Sequence, residues 1–160
     1  MPTGRYYTAV FNDVTVTAAQ DFFELTAAAT CCTELLEIHL SQQTEIGDAM
    51  EEMLNILVKT GSTTTGTGGS QAITSVPLSF GDAAAESVVD TNNTTKATGG
   101  TIVTHHSWWW NIRVPFDVVF TPETTLILPP SRRLTVELVG APADTMDISG
   151  WIVFKEFGGA

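Results

Sequence analysis

Two adjacent histidines, His105 and His106, stand just before three consecutive tryptophans, Trp108, Trp109 and Trp110. These residue types can ligate a metal, stack on sugars or bases, or anchor a chain at a membrane interface. A metal needs ligands that converge on one point. Successive side chains on a strand diverge, and the chain has 3 histidines in all, so no metal centre is expected. Nucleophilic catalysis finds no Gly-x-Ser-x-Gly turn and no Cys-His arrangement. Among carboxylates, Glu51 and Glu52 are adjacent and diverge, and Asp144 and Asp147 fall in a turn. The glycine-rich run 66–69 is followed by no basic residue and no helix start, so it makes a weak phosphate cradle. No reaction and no cofactor are expected; a domain of this kind works by presenting surfaces.

The elements that must position these residues are strands. Every even position from Trp108 to Phe120 holds Trp108, Trp110, Ile112, Val114, Phe116, Val118 or Phe120, while the odd positions from Ser107 to Val119 are mostly polar. That is the strongest period-two signal in the chain, and it predicts one half-buried extended stretch, with Pro115 marking an edge, a bulge or a break. Trp108 and Trp110 then face the core, where each buried indole removes roughly 150–250 Å² from water. Trp109 faces outward beside Asn111 and Arg113, a composition typical of contact surfaces. It meets another subunit, a partner or a glycan, or is covered by a loop of its own chain.

Other segments follow the same logic. RYYTAVF reads as a strand ending in a turn at Asn12-Asp13, followed by VTVT and QDFFELTA. In CCTELLEIHLSQ, Leu36, Ile38 and Leu40 share one face; Glu37, His39 and Ser41 share the other, with Leu35 the misfit, so His39 is expected as an exposed surface residue. Met50, Met53, Leu54, Leu57 and Val58 form a helical stripe, yet Leu54, Ile56 and Val58 also alternate. Surrounded by strands, 52–60 is assigned as a strand, with 44–51 a loop or short helical turn. Residues 61–71 and 91–100 read as turn-rich loops, and DAAAESVVD has room for one helical turn. SRRLTVELVG places Leu134, Val136 and Leu138 inward, and ISGWIVFKEF is a terminal strand.

Composition sets the outer bounds. With 160 residues, one domain spanning 1–160 is expected. Eighteen acids against 7 bases give a net charge of −11, which repels phosphate backbones and excludes a nucleic-acid partner. Cys31 and Cys32 are neighbours and form no disulfide framework, so no oxidising compartment is required. The stretch MPTGRYYTAV lacks the pattern of a signal peptide, and no apolar run reaches membrane-spanning length, so no membrane partner is expected. The fold class that follows is all-β, a jelly-roll-like β-sandwich of about eight or nine strands with at most one short helical segment.

Three stretches, IGDAMEEMLNILVKTGSTTTGTGGS (46–70), TNNTTKATGGTIVTHHSWWWNIR (91–113) and LVGAPADTMDISGWIVFKE (138–156), resemble tailed-bacteriophage virion proteins, in particular head decoration, or cement, proteins. The resemblance covers under half the chain. It implies a jelly-roll-like domain, a homotrimer, a seat on the outer capsid surface with the major capsid protein as partner, assembly in the host cytoplasm, and strand structure for 52–60. It carries over no contact residue. From the residues themselves, Trp109, Arg113 and Asn111 are the candidate interface, with Tyr6 and Tyr7 on a candidate N-terminal arm formed by residues 1–12. A carbohydrate-binding module of a tail or fibre, with Trp109 as its stacking platform, is the alternative.

Overall fold

A computed structural model describes residues 4–44 and 51–158. Among them the chain is all strand: β1 (Arg5–Val16), β2 (Gln20–Thr26), β3 (Cys32–Gln42), β4 (Met53–Thr60), β5 (Ser70–Ile73), β6 (Val76–Pro77), β7 (Val88–Asn93), β8 (Val103–Asn111), β9 (Phe116–Val119), β10 (Leu126–Leu128), β11 (Arg133–Leu138) and β12 (Met146–Phe157). Twelve strands replace the eight or nine expected, the excess coming from the short pieces β5, β6, β9 and β10. No helix occurs among the described residues, so 82–90 holds no helical turn and β7 begins at Val88; TNN, expected in a loop, lies in that strand. Residues 45–50, where a helical turn was the other possibility, lie outside the described residues.

Two antiparallel six-stranded sheets build a β-sandwich. In the first the order is β10-β3-β12-β1-β6, with β9 also pairing β3; in the second it is β5-β7-β2-β11-β4-β8. One apolar cluster joins them: Tyr7, Ala9, Phe11, Ile38, Leu40 and Phe154 from the first sheet meet Phe23, Leu25, Leu54, Ile56, Val58, Leu134, Val136 and Leu138 from the second. The burial of Leu134, Val136 and Leu138 follows the alternation read in the sequence.

Bulges explain where the alternation misleads. Leu35 is fully buried and Leu36 only half-buried, the reverse of the expectation, because the β3–β12 register slips: Val153 pairs Glu37 and Phe154 pairs Leu35, leaving Leu36 as the extra residue. Asn12-Asp13 is likewise not a turn between strands. The β1–β12 register passes from Phe11–Gly150 to Val14–Ile148, and Asp13 takes a φ of 56°, so one long strand carries a bulge. Asp is among the few residues that take this left-handed conformation readily, and Ser149 Oγ accepts its backbone N–H at 2.9 Å.

The stretch from Trp108 to Phe120 is two strands, not one. It leaves the second sheet after Asn111, turns through 112–115, and enters the first sheet as β9. Pro115, which cannot donate to a ladder, marks the break. Trp110, Ile112 and Phe116 are buried, Trp108, Val118 and Phe120 are half-buried, and Val114, in the turn, is 55% exposed.

Candidate functional site

Strand β8 closes one edge of the second sheet and, among the described residues, pairs only β4. Its inward residues are held by aromatic contacts that bridge the two sheets. Trp110 is buried and its Nε1–H donates to Val114 O at 2.7 Å. Trp108 meets Phe116 edge-on, with ring centroids 5.5 Å apart, and His106 lies against Trp108 at 5.4 Å. His105 turns away: its Nε2 lies 2.8 Å from Thr60 Oγ1, whereas His106 Nε2 lies 3.1 Å from Thr124 O. The two imidazoles therefore diverge. Among the described residues no three His, Cys, Asp or Glu side chains converge as a metal site.

Trp109 projects from the opposite face of β8 and is 64% exposed, opposite Asn55 of β4. Met53, exposed, pairs Asn111 two residues along. Asn111 is half-buried and its Oδ1 accepts the Arg113 backbone N–H at 3.0 Å, so its side chain shapes the turn that presents the exposed Arg113. Trp109, Asn111 and Arg113 thus share one end of β8.

Tyr6 and Tyr7 go elsewhere. Residues 5–12 belong to β1, which lies between β12 and β6, so they do not form an arm. Tyr7 is fully buried, stacks on Phe154 at 5.5 Å and donates its hydroxyl to Ala83 O at 3.0 Å. Burial, reinforced by the Glu156 charge, pushes its phenol pKa up. The surface-contact expectation for Tyr7 is therefore corrected: an aromatic at an inward position of a central strand packs. Tyr6 alternates outward, with the Lys155 ammonium 5.8 Å above its ring.

Two arrangements were missed in the sequence. The first is a clamp on the outer face of the first sheet. His39 is not a free surface residue: Nδ1 lies 2.6 Å from Asp117 Oδ1, Nε2 lies 2.9 Å from Glu37 Oε2, and the ring stacks on Trp151 at 3.7 Å. Alternation places Glu37 beside His39, but Trp151 and Asp117 arrive through pairing of β12 and β9 with β3, and no local pattern announces them.

The second is a buried polar layer on the outer face of the other sheet. Glu24 is almost fully buried and accepts hydrogen bonds from Arg133 Nε (2.6 Å), Thr65 Oγ1 (2.6 Å), the Gly66 N–H (2.8 Å) and Asn93 Nδ2 (3.1 Å). Asp21 accepts the Ala97 N–H at 2.8 Å, Asp90 accepts the Ala72 N–H at 2.6 Å, and Glu137 meets Lys59 and, at 2.6 Å, Lys96. Burial alone would raise the Glu137 pKa; hydrogen bonds from Lys59 and Lys96 outweigh it and the net shift is downward. Among the described residues Asp21 has no cation within ion-pair distance, and desolvation, partly offset by the Ala97 N–H, takes its pKa up to about 6. Glu24 and Asp21 tie loop segments 65–66 and 97 onto the sheet, and Asp90 does the same for the edge strand β5 through Ala72, which is how Thr- and Gly-rich segments are held on a folded surface. Gly69 is part of the same seam: a Cβ there would sit 2.0 Å from Thr91 O.

Fold and surface together define an all-β sandwich whose notable exposed chemistry is aromatic and apolar contact. No family model matches the sequence, and no curated protein matches it. Among solved structures, the chain is similar to one described as the structure of infectious bursal disease virus Gx strain, at 14% identity and a TM-score of 0.34, over 98% of this chain and 33% of that one. It is also similar to the infectious bursal disease virus VP2 subviral particle, at 12% identity and a TM-score of 0.33, over 97% of this chain and 33% of that one. The chain spans about a third of the length of these neighbours.

Proposed function

We propose that the protein is a structural virion protein, a capsid decoration (cement) protein that binds the outer surface of a tailed-phage head as a trimer and stabilises the shell. The observation that carries this reading is Trp109, 64% exposed near the end of β8, with Arg113 and Met53 close by in the fold. Tryptophan and arginine dominate binding energy where interfaces are desolvated, and a strand presents Trp109 without a large ordering cost. The likeness of 46–70, 91–113 and 138–156 to decoration proteins supplies the partner, the major capsid protein, and the trimer. The mechanism is mass action without a reaction: a protein that binds the assembled lattice and not its dissociated subunits shifts the equilibrium toward the intact shell.

Light scattering of the pure protein, followed by cosedimentation with undecorated heads, tests it. A trimer that pellets with heads, and a Trp109→Ala variant that pellets at least tenfold less well, is the expected result; a monomer that ignores heads overturns it. The exposed indole also suits a second reading, a carbohydrate-binding module of a tail or fibre. Binding on a glycan array that is lost in Trp109→Ala, with no binding to heads, would favour that alternative.

A further inference from the structure

Beyond the Trp109 surface, we propose that the groove between the ends of β4 and β8 and the edge strand β10 is a docking site for an extended acidic peptide segment of a partner protein. The groove has a volume of about 340 Å³, within the range of small-ligand sites. Leu126, Ile127 and Pro129 supply apolar walls, Thr60 and His105 close one side, and Arg132 stands at its rim. Charge selects the occupant. In a chain of net charge −11, Lys59 and Lys96 meet Glu137, Arg133 meets Glu24 and Lys155 faces Glu34. Arg132 is exposed, and among the described residues its guanidinium has no ion-pair or hydrogen-bond partner. A free guanidinium beside an apolar groove suits a carboxylate attached to an aliphatic group, and a guanidinium binds a carboxylate through two parallel hydrogen bonds. An extended peptide also fits the backbone. β10 carries β3 on one side and no strand on the other among the described residues, so its outer edge offers main-chain groups for strand addition.

The test titrates the ¹⁵N-labelled full chain with acetyl-Thr-Leu-Val-Asp-Glu-amide and follows amide shifts. Shifts confined to 60–61, 105 and 126–133 are expected. Affinity should fall about tenfold for the Asn-Gln version of the peptide and for Arg132→Ala, the loss of one charge-assisted pair. Ile127→Glu, at a surface position, sets a like charge against the peptide and should abolish binding while leaving the remaining spectrum unchanged. Unaltered affinity in Arg132→Ala, shifts centred elsewhere, or binding of sodium decanoate but not of the peptide would each overturn the proposal. No head is needed, so its failure is separate from failure of the capsid reading.

Discussion

Trp109 and Trp110 are neighbours in the chain with opposite surroundings, one 64% exposed and the other buried with its indole N–H donated to Val114. Trp110→Ala should cost about 3–5 kcal/mol, from lost transfer energy plus the cavity left against Phe116, read as a drop in the urea midpoint. Trp109→Ala should change stability by under about 0.5 kcal/mol in the same titration, since a surface change away from packing has little effect. Asp21 belongs to the same scale. Its carboxyl ionises at about 6 in the folded chain against 3.8 as its ordinary value, so between those values the native state holds the extra proton. Stability contributed by this group is therefore fully present below that window, falls as pH rises through it, and levels off above. Asp21→Asn keeps an oxygen for the Ala97 N–H and removes the buried charge. Calorimetry should show the pH 4–6 slope flattened and the pH 7 protein more stable by on the order of 2 kcal/mol. None of this was legible locally: QDFFELTA shows an acid in a strand, not the loops that bury it.

At the scale of elements, period-two patterning was readable wherever a strand keeps one register and failed where it slips. Leu134, Val136 and Leu138 fell inward as read, whereas Leu35 and Leu36 exchanged roles at a bulge that only the pairing with β12 reveals. The helical stripe at Met53, Leu54, Leu57 and Val58 gave way to strand β4 because β11 and β8 flank it on both sides, and Leu54, Ile56 and Val58 are the residues buried. The turn at 112–115 was foreshadowed by Pro115, but that it changes sheets was not. Gly150 tests how tightly β12 is fitted. A Cβ there would lie 2.7 Å from Leu40 Cδ2 and 3.0 Å from both His39 O and Phe11 Cε1. Gly150→Ala should destabilise by about 1–3 kcal/mol, the usual cost of overpacking, measured by thermal melting.

At the scale of the whole molecule, pairing is dominated by partners far apart in sequence: β1 zips to β12 and β3 to both β12 and β10. Such topologies close long loops before gaining contacts, so refolding from urea, followed by stopped-flow tryptophan fluorescence, should take milliseconds to seconds or longer rather than microseconds. The fold class was legible because alternation and turn residues recur along the chain; the order of strands was not, since it depends on these remote pairings. The apposition of the first and last strands has a mechanical meaning as well. Arg5 lies opposite Glu156, so tension applied across the two chain ends loads the rungs of that ladder singly, from one end. The domain should yield to such a pull by peeling at low force, and resist far better when gripped where a load must shear many rungs together.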